Sequence, residues 1–399
     1  MSTFAATRDR FAFGARTVAW IGVVLGILAF FFALPPVEAR APWVPALVGL
    51  TGVGCGIWAV TRGVGRLAWG AIAMSIIGIF LGVLATRAST NNLDLVVTWG
   101  ALVASTLIWA TPLTYAAIGG MFSERSGVVN IGLEGMMLAG AFFSCLGADK
   151  FGSWGWGVLT AMVAGAGFAL LHAIFAIHLR ADQIVGGTAI NFLALGVTGY
   201  FFIQIYGDNG TPGDLPRIPN ISIPGLKDVT FFGPAIGDTN LMIWLSFVLL
   251  IVAYIVMFRT PIGLRIRAVG EHPRAAETVG ISVYLIRYAS VTVSGILAAL
   301  GGAYLAIGYV GSFTENMTAG RGFIALAALI FGNWRPFGAF AAALLFGAST
   351  ALSFKLATSW ESAAVLFQAL PYVLTLIAVA GVIGRSIPPA AVGRPYSKQ

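Results

Sequence analysis

The chain has 399 residues, of which 58% are hydrophobic and 10% are charged, and its mean hydropathy is +0.89. A soluble protein carries about 25% charged residues, and the cores of a soluble chain of this length do not hold so much apolar surface. The composition therefore excludes a soluble enzyme, a disordered chain and a nucleic-acid-binding protein. We expect an all-α polytopic membrane protein.

Apolar runs follow one another along the whole sequence. A helix needs about 20 mainly apolar residues to cross the hydrocarbon core of a bilayer. Segment 321–333 is too short to cross alone and is predicted to be a broken or re-entrant helix. We expect about 10–12 transmembrane helices among twelve candidate segments: 17–34, 44–61, 67–86, 95–120, 128–147, 155–179, 184–206, 241–258, 287–309, 321–333, 336–354 and 363–384.

The basic residues predict the orientation of these segments. With a cytosolic N-terminus, 16 of the 23 Lys and Arg residues fall in inside segments. Cytosolic loops of membrane proteins carry such an excess, so an N-in and C-in topology is favoured. Ala39-Arg40-Ala41 loosely resembles a signal-peptide cleavage site, but the apolar run before it is long and many spans follow. We therefore expect the first span to remain uncleaved.

Two connections stand out by their length. Segment 207–240, rich in Gly, Pro and Asp, is predicted outside, either as a solvated loop or as a docking surface. Segment 259–286 is predicted inside, as a basic membrane anchor or a docking element. Thr260 before Pro261 predicts the start of one short helix that ends at Gly270, and Pro273 predicts the start of a second that ends at Gly280.

Several kinds of chemistry lack their sequence signatures. The four lysines are Lys150, Lys227, Lys355 and Lys398, and none follows a glycine, so the chain has no Walker A phosphate loop. The three histidines do not cluster with acids or cysteines, so we expect no metal site and no catalytic residue. The chain therefore cannot act as an ATPase through a Walker A motif.

One acidic residue, Glu134, lies clearly within a predicted span, four residues after Asn130. The pair can hydrogen-bond an interrupted backbone or contact a solute or ion directly. A weak internal echo lies nearby: residues 114–120 followed by 126–133 resemble residues 296–302 followed by 319–326. The two copies run in opposite directions in the predicted topology, which suggests an inverted repeat with interrupted helices, although small-residue bias also produces chance echoes.

Four ordered stretches resemble one family. They are Ser126–Leu138 (SGVVNIGLEGMML), Leu179–Gly187 (LRADQIVGG), Gly263–Ala276 (GLRIRAVGEHPRAA) and Thr318–Ala328 (TAGRGFIALAA). The chain resembles the permease subunits of binding-protein-dependent ABC importers, in the branch for simple sugars, nucleosides and branched-chain amino acids. Within this branch, NIGLEG and TAGRGFIAL are most similar to the nucleoside and simple-sugar members.

The resemblance implies a fold and a division of the chain. It implies a type II importer permease core with an inverted repeat and short broken helices over residues 93–386. Residues 1–92 would then be a hydrophobic extension with three spans, and residues 387–399 a cytosolic tail. A bacterial cytoplasmic membrane is the implied location.

The resemblance also implies partners. A separate cytosolic ATPase would use the ATP, so this chain would bind no cofactor itself. An extracytoplasmic binding protein would deliver the solute, and a second, related permease chain would complete the pore. The coupling contact with the ATPase would be made by segment 259–286, through Arg265, Arg267, Gly270, Glu271, His272, Pro273 and Arg274.

The solute would pass between the two permease chains, near polar or aromatic groups of the broken segments. The candidates are Tyr115, Asn130, Glu134, Asn191, Glu315 and Asn316. Hydrogen-bonding and stacking groups suit a neutral nucleoside or sugar better than fixed charges do. The alternative function is a proton-coupled secondary carrier that works alone; a membrane-embedded enzyme or scaffold is a third hypothesis.

Overall fold

The computed structural model describes residues 14–31, 41–87, 99–207, 210–225, 227, 233–359, 369, 372–373 and 386–397. The described residues are mainly helical. By contacts the chain divides into two compact units, one of residues 1–102 and 349–385, the other of residues 103–348 and 386–399. The predicted span 363–384 lies almost wholly outside the described residues.

The first unit contains three helices that pack through glycines. They are α1 (Ala15–Phe31), α2 (Trp43–Thr61) and α3 (Arg66–Arg87). A Cβ at Gly26 would lie within 2.6 Å of the backbone nitrogen of Ser75, and Gly78 in turn packs on the carbonyl of Gly26 without room for a side chain. Small residues four apart thus allow these helices to approach closely, as expected for association in a membrane.

The second unit holds the remaining described elements, with the helices Trp99–Arg125 and Pro336–Ser359 shared across its boundary. Two of its helices, Trp154–Ala173 and Val283–Ala303, end in π-helical turns, Ile174–His178 and Tyr304–Val310. Its elements are α4 (Trp99–Arg125), α5 (Leu133–Phe151), α6 (Trp154–Ala173), α7 (Gln183–Tyr206), β1 (Asn220–Ser222), β2 (Asp238–Asn240), α8 (Leu241–Arg259), α9 (Pro261–Glu271), α10 (Pro273–Thr278), α11 (Val283–Ala303), α12 (Arg321–Phe331) and α13 (Pro336–Ser359).

Eight of the described helices are long and apolar enough to cross a membrane. Helix α5 is 19 residues long but carries Glu134, Asp149 and Lys150, and α1 is slightly shorter than a full span. Helix α12 has only 11 residues, which confirms that segment 321–333 is too short to span alone. The all-α polytopic fold predicted from composition is therefore what the chain adopts.

Helices α4 and α11 make a reciprocal contact. A Cβ at Gly119 would lie 2.7 Å from the carbonyl oxygen of Ser294, and one at Gly301 would lie 2.8 Å from that of Pro112. The two contacts involve equivalent positions: position 301 is position 119 plus 182, and position 294 is position 112 plus 182. Helices α4 and α11 thus pack antiparallel, and the offset of 182 residues is the one that relates residues 114–120 to residues 296–302 in the sequence echo, as the predicted inverted repeat requires.

Each of these helices is followed by a break in the helical chain. We call residues 126–132 the first break and residues 311–320 the second break. Gly127 in the first has φ +94° and Gly320 in the second has φ +83°, and the sequence echo aligns these two glycines with each other. Gly127 lies just after the end of α4, whereas Gly320 lies immediately before α12, and glycine adopts the left-handed conformation at both places without steric penalty. The first break leads into the long helix α5 and the second into the short helix α12.

The segment between α7 and α8 is attached to the end of α11. Strands β1 and β2 pair antiparallel, with Asn220 opposite Asn240. The Asn240 side chain donates to the carbonyls of Ile218 and Gly308, at 2.9 and 3.1 Å. This ties the long connection to the π-helical turn that precedes the second break.

Candidate functional site

The segment between α8 and α11 forms the two short helices that its punctuation predicts. The Thr260 hydroxyl accepts a hydrogen bond from the N–H of Gly263, at 3.3 Å, and Pro261 is the first residue of α9. Pro273 is likewise the first residue of α10. These predictions are confirmed, with one difference: α9 ends at Glu271, one residue beyond Gly270.

Gly270 has a packing role in place of the predicted helix-ending role. It is buried, and a Cβ at this position would collide with the carbonyl oxygen of Arg125 at the end of α4. Helix α9 therefore lies directly on the backbone that enters the first break. Gly263, Ile266 and Val269 are buried on the same face of α9, as their spacing of three residues requires.

The opposite face of these helices combines charge with exposed apolar side chains. Arg265, Glu271, His272 and Arg274 are exposed, and so are Leu264 and Val279. Arg267 is only half-buried, because its guanidinium lies over the Phe258 ring at 5.2 Å, and Pro273 is half-buried as well. The surface offers directional charges around apolar contacts, a combination suited to protein docking.

Glu134 lies at the other candidate site, between α5 and the start of α12. One carboxylate oxygen accepts hydrogen bonds from the Thr318 hydroxyl at 2.6 Å and the Gly320 N–H at 2.8 Å. The other accepts from the Gly322 N–H at 2.6 Å. The first N–H groups of a helix have no partners within it, and a carboxylate stabilises that positive end. Glu134 thus joins the second break to the helix that follows the first.

Asn130 and Asn191 support the first break. Asn130 is fully buried and donates to the Ser294 hydroxyl at 2.9 Å. Asn191, on α7, donates to the carbonyl of Ile131 at 3.0 Å and accepts from the N–H of Gly135 at 2.8 Å. The irregular backbone within a membrane protein needs such partners, because no water satisfies it there.

The six candidate pathway residues therefore fall into two environments. Tyr115 is buried and donates to the carbonyl of Met242 at 3.0 Å, so it joins Asn130, Glu134 and Asn191 as a residue engaged within the protein. Glu315 and Asn316 are exposed on the second break, where Asn316 has φ +54°. The structure brings Glu134 next to the second break, but these two side chains face the exterior of the chain.

Two further side chains, from Gln183 and His172, contact the backbone of the first break and were not among the predicted site residues. The Gln183 side chain accepts from the N–H of Val129 at 2.7 Å, and His172 contacts the carbonyl of Val129 at 3.0 Å. The Leu179–Gly187 stretch contains Gln183, and its position just before a span was the available signal. The partners lie more than 40 residues apart, which a local pattern does not reveal.

Two charged residues lie deeper than the sequence analysis placed them. Glu124 is buried at the end of α4, where its carboxylate accepts from the Trp334 indole N–H at 2.5 Å. Arg287 is one of the 16 basic residues that the topology prediction places in inside segments, but it lies on α11 and is only 1% exposed. Both stand at the ends of apolar runs, where sequence alone does not separate an interfacial from a buried side chain. Among the described residues no His, Cys, Asp and Glu cluster could hold a metal ion.

Comparison with known proteins agrees with this architecture. A family model described as "Branched-chain amino acid transport system / permease component" matches residues 102–379. The guanosine ABC transporter permease protein NupQ of Bacillus subtilis is 45% identical over 316 residues, which cover 77% of this chain and 99% of that protein. The nucleoside ABC transporter permease protein NupC of Lactococcus lactis is 42% identical over 307 residues, covering 74% of this chain and 96% of that protein.

A more distant relative comes from the same Lactococcus lactis strain. The nucleoside ABC transporter permease protein NupB is 26% identical over 254 residues, which cover 61% of this chain and 70% of that protein. No solved structure matches the chain. The family match spans both breaks, the two short helices and most of the described spans, so the chain belongs to the family of ABC transporter permease components and is a membrane-spanning transport subunit of the cell membrane.

Proposed function

We propose that this chain is the pore subunit of an ATP-driven ABC importer that moves nucleosides inward. The observation that carries the proposal is the alignment with NupQ and NupC over nearly their whole length, at 45% and 42% identity. Both of those relatives are permease proteins of guanosine or nucleoside transporters by name. A neutral solute also suits a structure in which the buried carboxylates Glu124 and Glu134 are engaged by protein donors.

The coupling contact with a separate ATPase is proposed for α9 and α10. Arg265, Glu271, His272 and Arg274 are exposed on these helices, and so is the apolar Leu264. The buried face of α9 lies on Arg125, next to the first break. A push on this surface therefore has a short route into the broken region. In this proposal ATP is hydrolysed in the partner and this chain binds no cofactor.

Two further partners belong to the proposal. An extracytoplasmic binding protein would dock on the segment between α7 and α8, which Asn240 attaches to the end of α11. A second, different permease chain would complete the pore, because Lactococcus lactis has both NupC and NupB and this chain is far more similar to NupC. The excess of Lys and Arg in inside segments supports the N-in and C-in orientation.

Solute contact is proposed for Glu315 and Asn316, whose side chains are exposed beside the second break. Tyr115, Asn130, Glu134 and Asn191 would line or support the pathway from behind, through the hydrogen bonds described above. Mechanical driving by an ATPase requires no titrating group along the route. The buried carboxylates of Glu134 and Glu124 fit such a mechanism, because they are hydrogen-bonded to a backbone N–H and to an indole N–H.

The test is reconstitution of the chain with its ATPase, its binding protein and the second permease chain. We expect guanosine uptake into proteoliposomes that depends on ATP and on the binding protein and is unaffected by collapse of the pH gradient. The secondary-carrier alternative makes the opposite prediction. Guanosine uptake by the purified chain alone, driven by a pH gradient without ATP, would overturn the proposal.

A further inference from the structure

The last described residues of the chain lie against the two short helices. We call residues 386–397 the C-terminal strap. The N–H of Ala391 donates to the carbonyl of Gly270 at 2.9 Å, and the N–H of Ala390 donates to the Glu271 carboxylate at 3.1 Å. Ala391 is only 5% exposed. The strap therefore covers the end of α9.

The same strap is attached to the first break. The N–H of Gly393 donates to the carbonyl of Gly127 at 3.2 Å. Arg287, from α11, joins the two segments: its Nε donates to the carbonyl of Ser126 at 3.2 Å, and its Nη1 donates to the carbonyl of Arg394 at 3.3 Å. A buried guanidinium needs several acceptors, and these backbone carbonyls are its hydrogen-bond acceptors among the described residues.

Tyr396 closes the strap over α10. Its side chain is 5% exposed, and its ring lies under the guanidinium of Arg287 and beside the ring of Tyr284, at 5.8 and 5.6 Å. Its hydroxyl donates to the Glu277 carboxylate. Burial, reinforced by Glu277, raises the pKa of Tyr396 to about 12, so the hydroxyl keeps its proton at physiological pH.

Helix α10 depends on this cover. A helix of six residues is not stable by itself, because nucleation consumes most of the free energy that so few hydrogen bonds return. Ala276, the buried residue of α10, packs in one cluster with Val269, Val283 and Tyr396. The strap thus supplies the aromatic side chain that joins α9, α10 and α11 into one packed group.

We propose that the C-terminal strap is a positioning element that holds α9 and α10 on α11 and the first break, so that force from the ATPase reaches the broken region. The inference rests on the proposed function, since it assigns the strap a part in the same coupling contact. Arg287 and Tyr396 act as positioning residues that touch neither ATP nor solute. Without the strap, α10 would move under load while α11 stayed in place.

The experiment measures guanosine moved per ATP hydrolysed by the complete reconstituted transporter. Three variants are compared: a chain ending at Ser386, Tyr396→Ala and Tyr396→Phe, with Ser397→Ala as the control on an exposed strap residue. We expect the ATPase to copurify with every variant. Solute moved per ATP should fall about fivefold or more in the chain ending at Ser386 and in Tyr396→Ala, with Tyr396→Phe intermediate. The control should match the wild type.

Two outcomes would overturn the inference. One is an unchanged ratio of transport to ATP hydrolysis in the chain ending at Ser386. The other is loss of ATPase copurification, which would make the strap part of the docking surface itself. Failure of the proposed function is recognised separately, because the wild-type chain would then not copurify with the ATPase or require ATP for uptake.

A second measurement tests the geometry without relying on a truncated chain. Cysteine is placed at Ala391, which is a buried residue of the strap, or at Ser397, which is an exposed one, and labelling by a polar maleimide is followed. Labelling of Cys55 and Cys145 in the unchanged chain is subtracted. We expect Ala391→Cys to react at least about tenfold more slowly than Ser397→Cys, as local opening limits a buried site. Equal rates would overturn the proposed attachment.

Discussion

Glu134 and Gly322 meet where the starts of α5 and α12 come together: the Gly322 N–H donates to the Glu134 carboxylate at 2.6 Å. A Cβ on Gly322 would lie 2.5 Å from the backbone nitrogen of Glu134. The start of α5 and the start of α12 therefore touch through backbone as well as through the carboxylate. Two helix N-termini share one acidic side chain, which favours negative charge at this point.

The first prediction concerns the acceptors that Glu134 provides. In Glu134→Gln, one carboxylate oxygen becomes an NH2 group that faces an N–H donor at the start of α12. A buried donor left without an acceptor costs about 1–3 kcal/mol, so we expect the thermal unfolding midpoint of the purified protein to fall. Thr318→Val is the matched control, because it removes one hydroxyl donor and leaves both backbone bonds to Glu134. Its loss should be about 0.5–1.5 kcal/mol.

The same pair distinguishes structural support from direct transport chemistry. If Glu134 serves as support, uptake in Glu134→Gln should fall in parallel with the amount of folded protein. Complete loss of uptake in a variant that assembles and unfolds like the wild type would contradict this assignment. It would indicate that the carboxylate takes part in the translocation step itself.

The second prediction uses the close approach at Gly322. Gly322→Ala should destabilise the protein by about 1–3 kcal/mol, because the new methyl group is forced against the start of α5. Gly196→Ala is the control, since Gly196 lies in α7 with nothing within 4 Å of its added Cβ. That substitution removes a flexible residue from a helix and should be neutral or slightly stabilising. Equal unfolding midpoints for both variants would disprove the packing described here.

How far the sequence predicts the structure depends on the range of the interaction. Thr260, Pro261 and Pro273 act within a few residues of their own position, so local rules place α9 and α10 correctly. Gly119 and Gly301, which occupy equivalent positions in the sequence echo, both lie at close helix contacts, because such contacts require small residues. The hydrogen-bond donors to Glu134 lie more than 180 residues away in the chain, and a local sequence pattern cannot predict them.

The charged groups show the same limit. Arg287 stands at the start of an apolar run, which favoured an interfacial position, yet the carbonyls that accept from it come from the first break and the strap. The strap itself has the composition of a solvated tail, with Pro, Gly, Arg and Ser. Tyr396 is the large side chain that the strap buries. Burial of such a segment follows from tertiary contacts and has no periodic signature.

The third prediction tests the seating of α9 on the end of α4. Gly270→Ala should impair transport, because its Cβ would collide with the carbonyl of Arg125 and push α9 away from the first break. We expect the free energy of unfolding to fall by about 1–3 kcal/mol and guanosine uptake to fall measurably. Ala275→Ser, on the exposed side of α10, provides the control and should transport normally. Normal uptake by Gly270→Ala with a wild-type unfolding midpoint would refute the direct contact.

The last prediction concerns the exposed charges of α9 and α10. Glu271→Ala combined with Arg274→Ala should uncouple ATP hydrolysis from uptake while the chain still inserts and folds. Arg274→Ala alone isolates the docking surface, because Arg274 is exposed, whereas Glu271 also accepts a hydrogen bond from Ala390 of the strap. We expect the single Arg274 variant to weaken association with the ATPase by about 1 kcal/mol, roughly fivefold, as for a rim charge at an interface. The affinity of the permease pair for the ATPase is measured, for the wild type and both variants, by titrating the ATPase into nanodiscs that contain the pair. Wild-type affinity and wild-type uptake in the double variant would remove α9 and α10 from the coupling contact.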